Sequence, residues 1–119
     1  MWRLQPTAEY ERSVERWPKK HRRELTAMLN NLDTFFGALK AGARLEQVKF
    51  GFVHPEPHGV LAIDQKGGGA GLKQTRLYTY PQRSQEILHL IIIGDKSSQK
   101  SDIELCSHFV STLLAEPQG

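Results

Sequence analysis

The sequence predicts an α+β domain. Two N-terminal helices pack on a single, mainly antiparallel four-stranded sheet, and a C-terminal helix closes the structure. Three observations support this prediction: a long amphipathic helical pattern comes first, a series of strand patterns follows it, and a second amphipathic helical pattern ends the chain. The chain has no internal repeat and no linker, so we expect residues 1–119 to form one domain.

Both N-terminal helices have recognisable ends. Thr7 can cap the first helix, which should end near Trp17 because Pro18 cannot continue it. Pro18 instead suits the first turn of the second helix, which should end near Gly42. The apolar stripe of the second helix recurs at steps of three and four residues. Its members are Leu25, Met28, Leu29, Leu32, Phe35, Phe36 and Leu39.

The second half of the chain carries the strand patterns. Residues 48–53 alternate apolar and polar positions, which predicts a half-buried strand, and residues 60–65 and 73–80 predict two more. Residues 87–93 are apolar at nearly every position, as expected of a central strand that is covered on both faces. Residues 2–4 are a candidate for a short edge strand.

Two connections raise questions of ligand binding. Residues 54–59 contain two histidines and one carboxylate, but a proline-rich turn offers no register for metal ligands, so no metal site is expected. Residues 66–71 (KGGGAG) lack the GK[ST] element of a phosphate loop and lead into a strand, so we interpret them as a flexible connection. A capping-box pattern at Ser101 and Glu104 predicts the start of the last helix, and residues 116–119 predict a frayed tail.

Composition limits the class of protein. Sixteen Lys and Arg against thirteen Asp and Glu give a net charge of +3, which suits a polyanion or an acidic protein partner. The single cysteine, Cys106, excludes an internal disulfide and a multi-cysteine zinc site, and its spacing places it in the core. No signal-peptide core or membrane-spanning run is present, so a cytoplasmic protein is expected, with no membrane contact.

A basic cluster separates the two N-terminal helical patterns. It consists of Lys19, Lys20, Arg22 and Arg23. We interpret it as a solvated face, with RNA or an acidic partner as the alternative.

The order of these elements resembles that of the RelE/ParE superfamily of bacterial toxins. Residues 75–78 (TRLY) are similar to the arginine-bearing penultimate strand of that family, and residues 96–100 (KSSQK) resemble the K-K-T-Q-K segment of its HigB-like branch. The resemblance covers the chain from Thr7 to about Leu114. It implies the toxin of a type II toxin–antitoxin system, neutralised by a cognate antitoxin. RelE and HigB members cut messenger RNA on the ribosome, without a metal or a small-molecule cofactor.

The resemblance also implies catalytic residues. Arg76 matches the strand arginine and would stabilise charge on the phosphate. Lys96 falls where the family places a cation just after the strand-ending Gly94, and Lys100 matches the second basic position of the HigB-like segment. The hypothesis therefore predicts one phosphate pocket formed by these three cations.

Three further residues are candidates for substrate contact. Tyr78 lies two positions from Arg76, so the two share a strand face, and the tyrosine either stacks on a base or packs in the core. Lys66 and Lys73 flank the glycine-rich connection near the same sheet.

The sequence departs from RelE at several positions. Asp64 and Gln65 lie where RelE has strand lysines, and Asp102 is nearest to the position of its tyrosine. His89 does not match a family catalytic histidine, and we interpret it as structural. These departures keep two alternatives open: a ParE-like toxin that acts by binding DNA gyrase, and a catalytically silent binding protein on the same scaffold.

Overall fold

A computed structural model, which describes residues 1–116, has the predicted α+β architecture with one sheet. The candidate edge strand at the N-terminus is present, so the sheet has five strands. Residues 117–119, most of the predicted tail, lie outside the described part. The helices are α1 (Ala8–Glu15), α2 (Arg22–Lys40) and α3 (Gln99–Ala115), and the strands are β1 (Arg3–Pro6), β2 (Val53–Pro55), β3 (Leu61–Asp64), β4 (Thr75–Gln82) and β5 (Ile87–Asp95).

The sheet has the strand order β1-β5-β4-β3-β2. Strand β1 pairs with β5 in parallel, with Arg3 opposite Ile87, and the other three pairings are antiparallel. A register irregularity between Tyr78 and Thr79 interrupts the β4–β5 ladder. Strand β4 is therefore the centre of the sheet, and β1 and β2 are its edges.

Helices cover both faces of the sheet. The stripe of α2 packs on one face, where Met28 and Phe35 are buried beside Leu77 of β4. Helix α3 packs on the opposite face, where Cys106 and Val110 are buried. The predictions of a β5 strand covered on both faces and of a core cysteine are confirmed.

The predicted strand at residues 48–53 is wrong except at its last residue. Strand β2 begins at Val53, and the backbone before it turns, since the Val53 N–H donates to the Phe50 carbonyl at 3.1 Å. Phe50 and Phe52 stack on each other with ring centroids 4.9 Å apart, and both pack against the α2 core. The apolar alternation therefore comes from an irregular segment that is anchored by its aromatic rings.

The start of α3 also differs from the prediction. Strand β5 continues through Gly94 to Asp95, and a 3-10 turn over residues 96–98 leads directly into the helix at Gln99. The capping box is formed by Asp95 and Ser98: the Asp95 carboxylate accepts from the Ser98 N–H, and the Ser98 hydroxyl accepts from the Asp95 N–H. Ser101 lies inside the helix, so it does not cap it.

The ends of the N-terminal helices are close to those predicted. The Thr7 hydroxyl accepts from the Tyr10 N–H at 3.0 Å and caps α1. Pro18 precedes a 3-10 turn, Lys19–His21, that leads into α2. No helix within residues 1–116 has both the length and the apolar character that crossing a bilayer requires.

Candidate functional site

A row of polar residues crosses the sheet on the face that α3 covers in part. Arg76 of β4 is paired with Asp64 of β3 and with Gly94 of β5. Side chains that are paired across strands share one face, and this face is the one that carries Tyr78 and Ala62 against α3. The row is formed at the end of the sheet where β4 begins and where β3 and β5 end.

His54 extends the row onto the edge strand. It is paired with Ala62 of β3, and its Nε2 lies 2.6 Å from Oδ2 of Asp64. The other carboxylate oxygen of Asp64 accepts from the Lys66 N–H at 2.7 Å. Because an ionised carboxylate only accepts hydrogen bonds, Nε2 of His54 is the donor in this contact, and in the neutral ring Nδ1 is the nitrogen that can accept a proton.

Arg76 has a carboxylate partner of its own. Its Nη1 donates to Oε1 of Glu56 at 2.9 Å, and both side chains are mostly buried, with exposed fractions of 19% and 12%. The Gln74 amide oxygen, in the orientation that faces the guanidinium, accepts from Nη2 and Nε at 3.2 and 3.0 Å. Glu56 follows β2, so this ion pair ties the segment after the edge strand to the centre of the sheet. The anionic Asp64 is likewise partnered, by His54.

Helix α3 docks beside Arg76 through Gly94. The Asp102 carboxylate lies over this glycine and accepts from the Ser98 hydroxyl at 2.7 Å. Burial raises the pKa of Asp102, although the Ser98 hydrogen bond acts in the opposite direction. Asp102 therefore packs α3 against β5 at the Gly94 end of the row.

Tyr78 is inaccessible to a substrate. Its ring is fully buried under α3, and its hydroxyl has no hydrogen-bond partner among the described residues. Burial, with the nearby Asp102 as a smaller cause, raises the pKa of its phenol. The prediction of Tyr78 as a substrate-binding residue is wrong, because α3 covers this part of the strand, and the packing alternative applies.

The structure does not bring the two predicted lysines into contact with Arg76. The side chains of Lys96 and Lys100 are exposed and have no hydrogen bond or ion pair within residues 1–116. Lys100 lies two positions from both Ser98 and Asp102, which face the sheet, so it is about 200° around the helix from each of them. It projects from the outer side of α3, away from the row.

The other candidate lysines lie towards the α2 side of the sheet. Lys73 Nζ forms an ion pair with Asp95 Oδ2 at 3.0 Å, and the Lys73 N–H donates to Glu24 of α2. Lys66 is exposed and extends towards Gly51, just beyond the Asp64 end of the row.

His89 has the structural role predicted for it. It is buried, its Nε2 lies 2.9 Å from the Gln82 amide oxygen, and its ring meets the edge of Phe109. Burial lowers its pKa, so the neutral form is favoured.

His54 and Glu56 are site residues that the sequence patterns do not indicate. The alternation at residues 48–53 predicts a strand that begins five residues before β2, which leaves both residues in a turn. His54 is paired with Ala62, and the two-residue alternation along β3 then places His54 on the face of Asp64. No signal in the sequence connects Glu56 to Arg76.

Chemically, the row offers an imidazole held by a carboxylate beside a guanidinium. This combination can accept a proton and bind an anion at neighbouring positions. Within residues 1–116 no group of three or more His, Cys, Asp or Glu residues is arranged to hold a metal ion. No protein-family model, curated protein or solved structure matches the chain.

Proposed function

We propose that this chain is a small cytoplasmic toxin of a type II toxin–antitoxin pair, and that it inhibits translation by cutting messenger RNA on the ribosome. The observation that carries the proposal is the placement of Arg76 beside the His54–Asp64 pair on one sheet face. The RelE/HigB-like order of elements and the positive net charge support it. The expected partners are the ribosome, its message and a cognate antitoxin.

In this mechanism the row supplies a proton acceptor and a cation. The 2′-hydroxyl of the substrate attacks the adjacent phosphorus, and its proton passes to Nδ1 of His54. Asp64 holds the ring and stabilises the imidazolium that forms. Arg76 stabilises the charge that builds on the non-bridging oxygens. The P–O5′ bond then breaks, water protonates the departing 5′-oxygen, and the products are a 2′,3′-cyclic phosphate and a free 5′-hydroxyl.

The exposed positions of Lys96 and Lys100 favour a role other than the predicted catalytic one. Because Lys100 projects from the outer side of α3, we assign it and Lys96 to contacts with RNA phosphates away from the reacting atoms. Such contacts contribute affinity that falls with added salt, whereas Arg76 contributes to the rate of cleavage.

The test uses purified ribosomes that carry a defined message. The wild-type chain should cut the message, and Arg76→Ala and His54→Gln should each slow cleavage by about a hundredfold or more. Two matched controls remove the same side-chain types elsewhere. Arg83→Ala removes an exposed arginine that pairs with Glu46, and His108→Gln removes an exposed histidine of α3. Both controls should stay within about threefold of wild type, since neither residue lies in the row.

Absence of cleavage by the wild-type chain, under conditions in which a RelE-type nuclease cuts, would refute the proposal. Equal losses in the row variants and the controls would refute the assigned roles. Circular dichroism of each variant checks that the fold is retained.

A toxin that acts by binding DNA gyrase is a second candidate, and one observation favours it. The charge of Arg76 is already compensated by Glu56, as expected of a structural ion pair rather than of an open phosphate site. A supercoiling assay distinguishes the candidates: gyrase inhibition by the wild-type chain without message cleavage supports the second one, and unaffected gyrase dismisses it.

A further inference from the structure

The glycine-rich connection at residues 66–71 contacts helix α2. A Cβ on Gly68 would lie 2.3 Å from the Cβ of Ala27, so this contact requires glycine in the loop. The Asn31 amide donates to the carbonyls of Asp64 and Lys66, each at 2.9 Å. Helix α2 therefore contacts this segment, which was interpreted as a flexible connection, along one side.

The far end of the connection is also attached to α2. The buried Glu24 accepts from the Lys73 N–H at 3.2 Å, and its Oε2 lies 2.9 Å from Nδ1 of His21. Glu24, the carboxylate nearest in sequence to the basic cluster, is therefore buried and bonded to Lys73 and His21.

Between the loop and the first half of α2 lies a groove of about 460 Å³. Two of its lining residues are arginines and none is a carboxylate, and Ala27 is its only apolar side chain. Arg22 and Arg23 are exposed and have no ion pair within the described residues, and Nη2 of Arg23 lies beside Gly69. The lining residues are Arg22, Arg23, Thr26, Ala27, Asn30 and Gly68.

We propose that this groove binds a phosphate-bearing ligand, either a nucleotide or the phosphodiester backbone of a nucleic acid. Guanidinium groups match phosphate oxygens bidentately, and the first turn of a 19-residue helix adds favourable potential for an anion. The Thr26 hydroxyl and the Asn30 amide add hydrogen-bonding groups, and the glycines allow close approach to the main chain. The volume lies within the range of small-ligand pockets.

This site is separate from the Arg76 row. Helix α2 covers one face of the sheet, and the row lies on the opposite face. The proposal therefore does not rest on the proposed function, and either can fail alone. An acidic peptide is the rival occupant. It is disfavoured because a groove whose only apolar side chain is an alanine has no pocket for the side-chain anchors that peptides use.

The test is an NMR titration of the intact chain at constant ionic strength. Pyrophosphate is the first probe, and ADP, a ten-nucleotide RNA and hexaglutamate follow in separate titrations. Pyrophosphate should shift the amide resonances of residues 67–71 and of the first turn of α2, and the shifts should saturate. Arg22→Gln/Arg23→Gln should weaken this binding by about tenfold or more.

The matched control is Lys19→Gln/Lys20→Gln. It removes the same charge from neighbouring exposed positions that do not line the groove, so pyrophosphate binding should change by less than about threefold. RNA binding much tighter than ADP binding identifies a nucleic-acid strand as the source of the phosphate, and equal binding identifies a nucleotide. Shifts that do not saturate, equal losses in the two double variants, or hexaglutamate binding as tightly as pyrophosphate would each overturn the proposal.

Discussion

Replacing Gly94 by alanine should disrupt the docking of α3. An ideal Cβ at this position would lie 1.8 Å from Oδ2 of Asp102 and 2.5 Å from the Ser98 hydroxyl. Overpacking a filled site costs about 1–3 kcal/mol, and loss of the Ser98–Asp102 hydrogen bond costs about 1.5–3 kcal/mol more. Moving the Asp102 carboxylate away relieves the overpacking and breaks the hydrogen bond at the same time, so the two costs overlap. We therefore expect a loss of about 3 kcal/mol in the free energy of unfolding.

The cause of this loss can be tested with a double-mutant cycle. Asp102→Ala removes the carboxylate that the new methyl group would meet and allows the Ser98 hydroxyl to turn away. In that background Gly94→Ala should cost only about 1 kcal/mol, so the coupling energy should be about 2 kcal/mol. Urea unfolding followed by far-UV circular dichroism gives both values.

Gly37→Ala is the matched control. Gly37 lies in the interior of α2, and a Cβ added there would meet no atom within 4 Å. Alanine should therefore raise stability by about 0.5–1 kcal/mol through its helix propensity. A Gly94→Ala variant within about 0.5 kcal/mol of wild type, or two additive single changes in the cycle, would refute the docking argument.

Three further predictions concern single side chains. The Ser97 hydroxyl, together with the Lys73 ammonium, lowers the pKa of Asp95 to about 2, so its stabilising effect is present above about pH 4 and is lost as the pH falls through about 2. After allowance for solvent screening, Asp95→Asn should reduce stability by about 1 kcal/mol at pH 7 in urea titrations, and most of the difference from wild type should be lost by pH 2. Burial raises the pKa of the Cys106 thiol to about 12, so a disulfide reagent should label it only after denaturant is added, and rapid labelling of the folded chain would contradict its core position. Tyr78→Phe removes a buried hydroxyl that has no partner, so stability should stay the same or rise by up to about 1 kcal/mol with cleavage unchanged, and a large loss of cleavage would restore a substrate role.

Long periodic patterns predicted the framework of the fold. The stripe of α2 and the apolar run of β5 each extend over several turns or residues, and both faced the core as expected. An apolar pattern of this length almost always faces the core, because any other orientation would leave a large apolar surface in water.

Short patterns failed where tertiary contacts decided the backbone. The alternation at residues 48–53 arises from two phenylalanines that pack on α2 although their backbone forms no strand. A serine followed three residues later by a glutamate, as at Ser101 and Glu104, occurs inside helices as well as at their starts. The local sequence cannot distinguish a strand from an irregular packed segment, or the start of a helix from its interior, since the same residue types occur in each.

The site shows the same limit at a longer range. The resemblance predicts a site role for Arg76, but its partner Glu56 lies twenty residues earlier and meets it only through the pairing of β2, β3 and β4. The His54–Asp64 pair likewise depends on a strand register that is set by packing. The sequence therefore shows which residues are charged, but it does not show which residue of opposite charge each of them pairs with.

The ion pair with Glu56 determines what Arg76 can do. A phosphodiester that displaced Glu56 would leave a mostly buried carboxylate without its cation, which is costly unless the carboxylate moves to water. Glu56 lies outside the strands, between Pro55 and Pro57, and its N–H donates to the Val60 carbonyl at 2.8 Å. Helix α3 contacts the turn at residues 57–59 and also docks over Gly94 beside Arg76. An anion that binds Arg76 therefore competes with Glu56, and this competition acts on a segment that α3 also contacts.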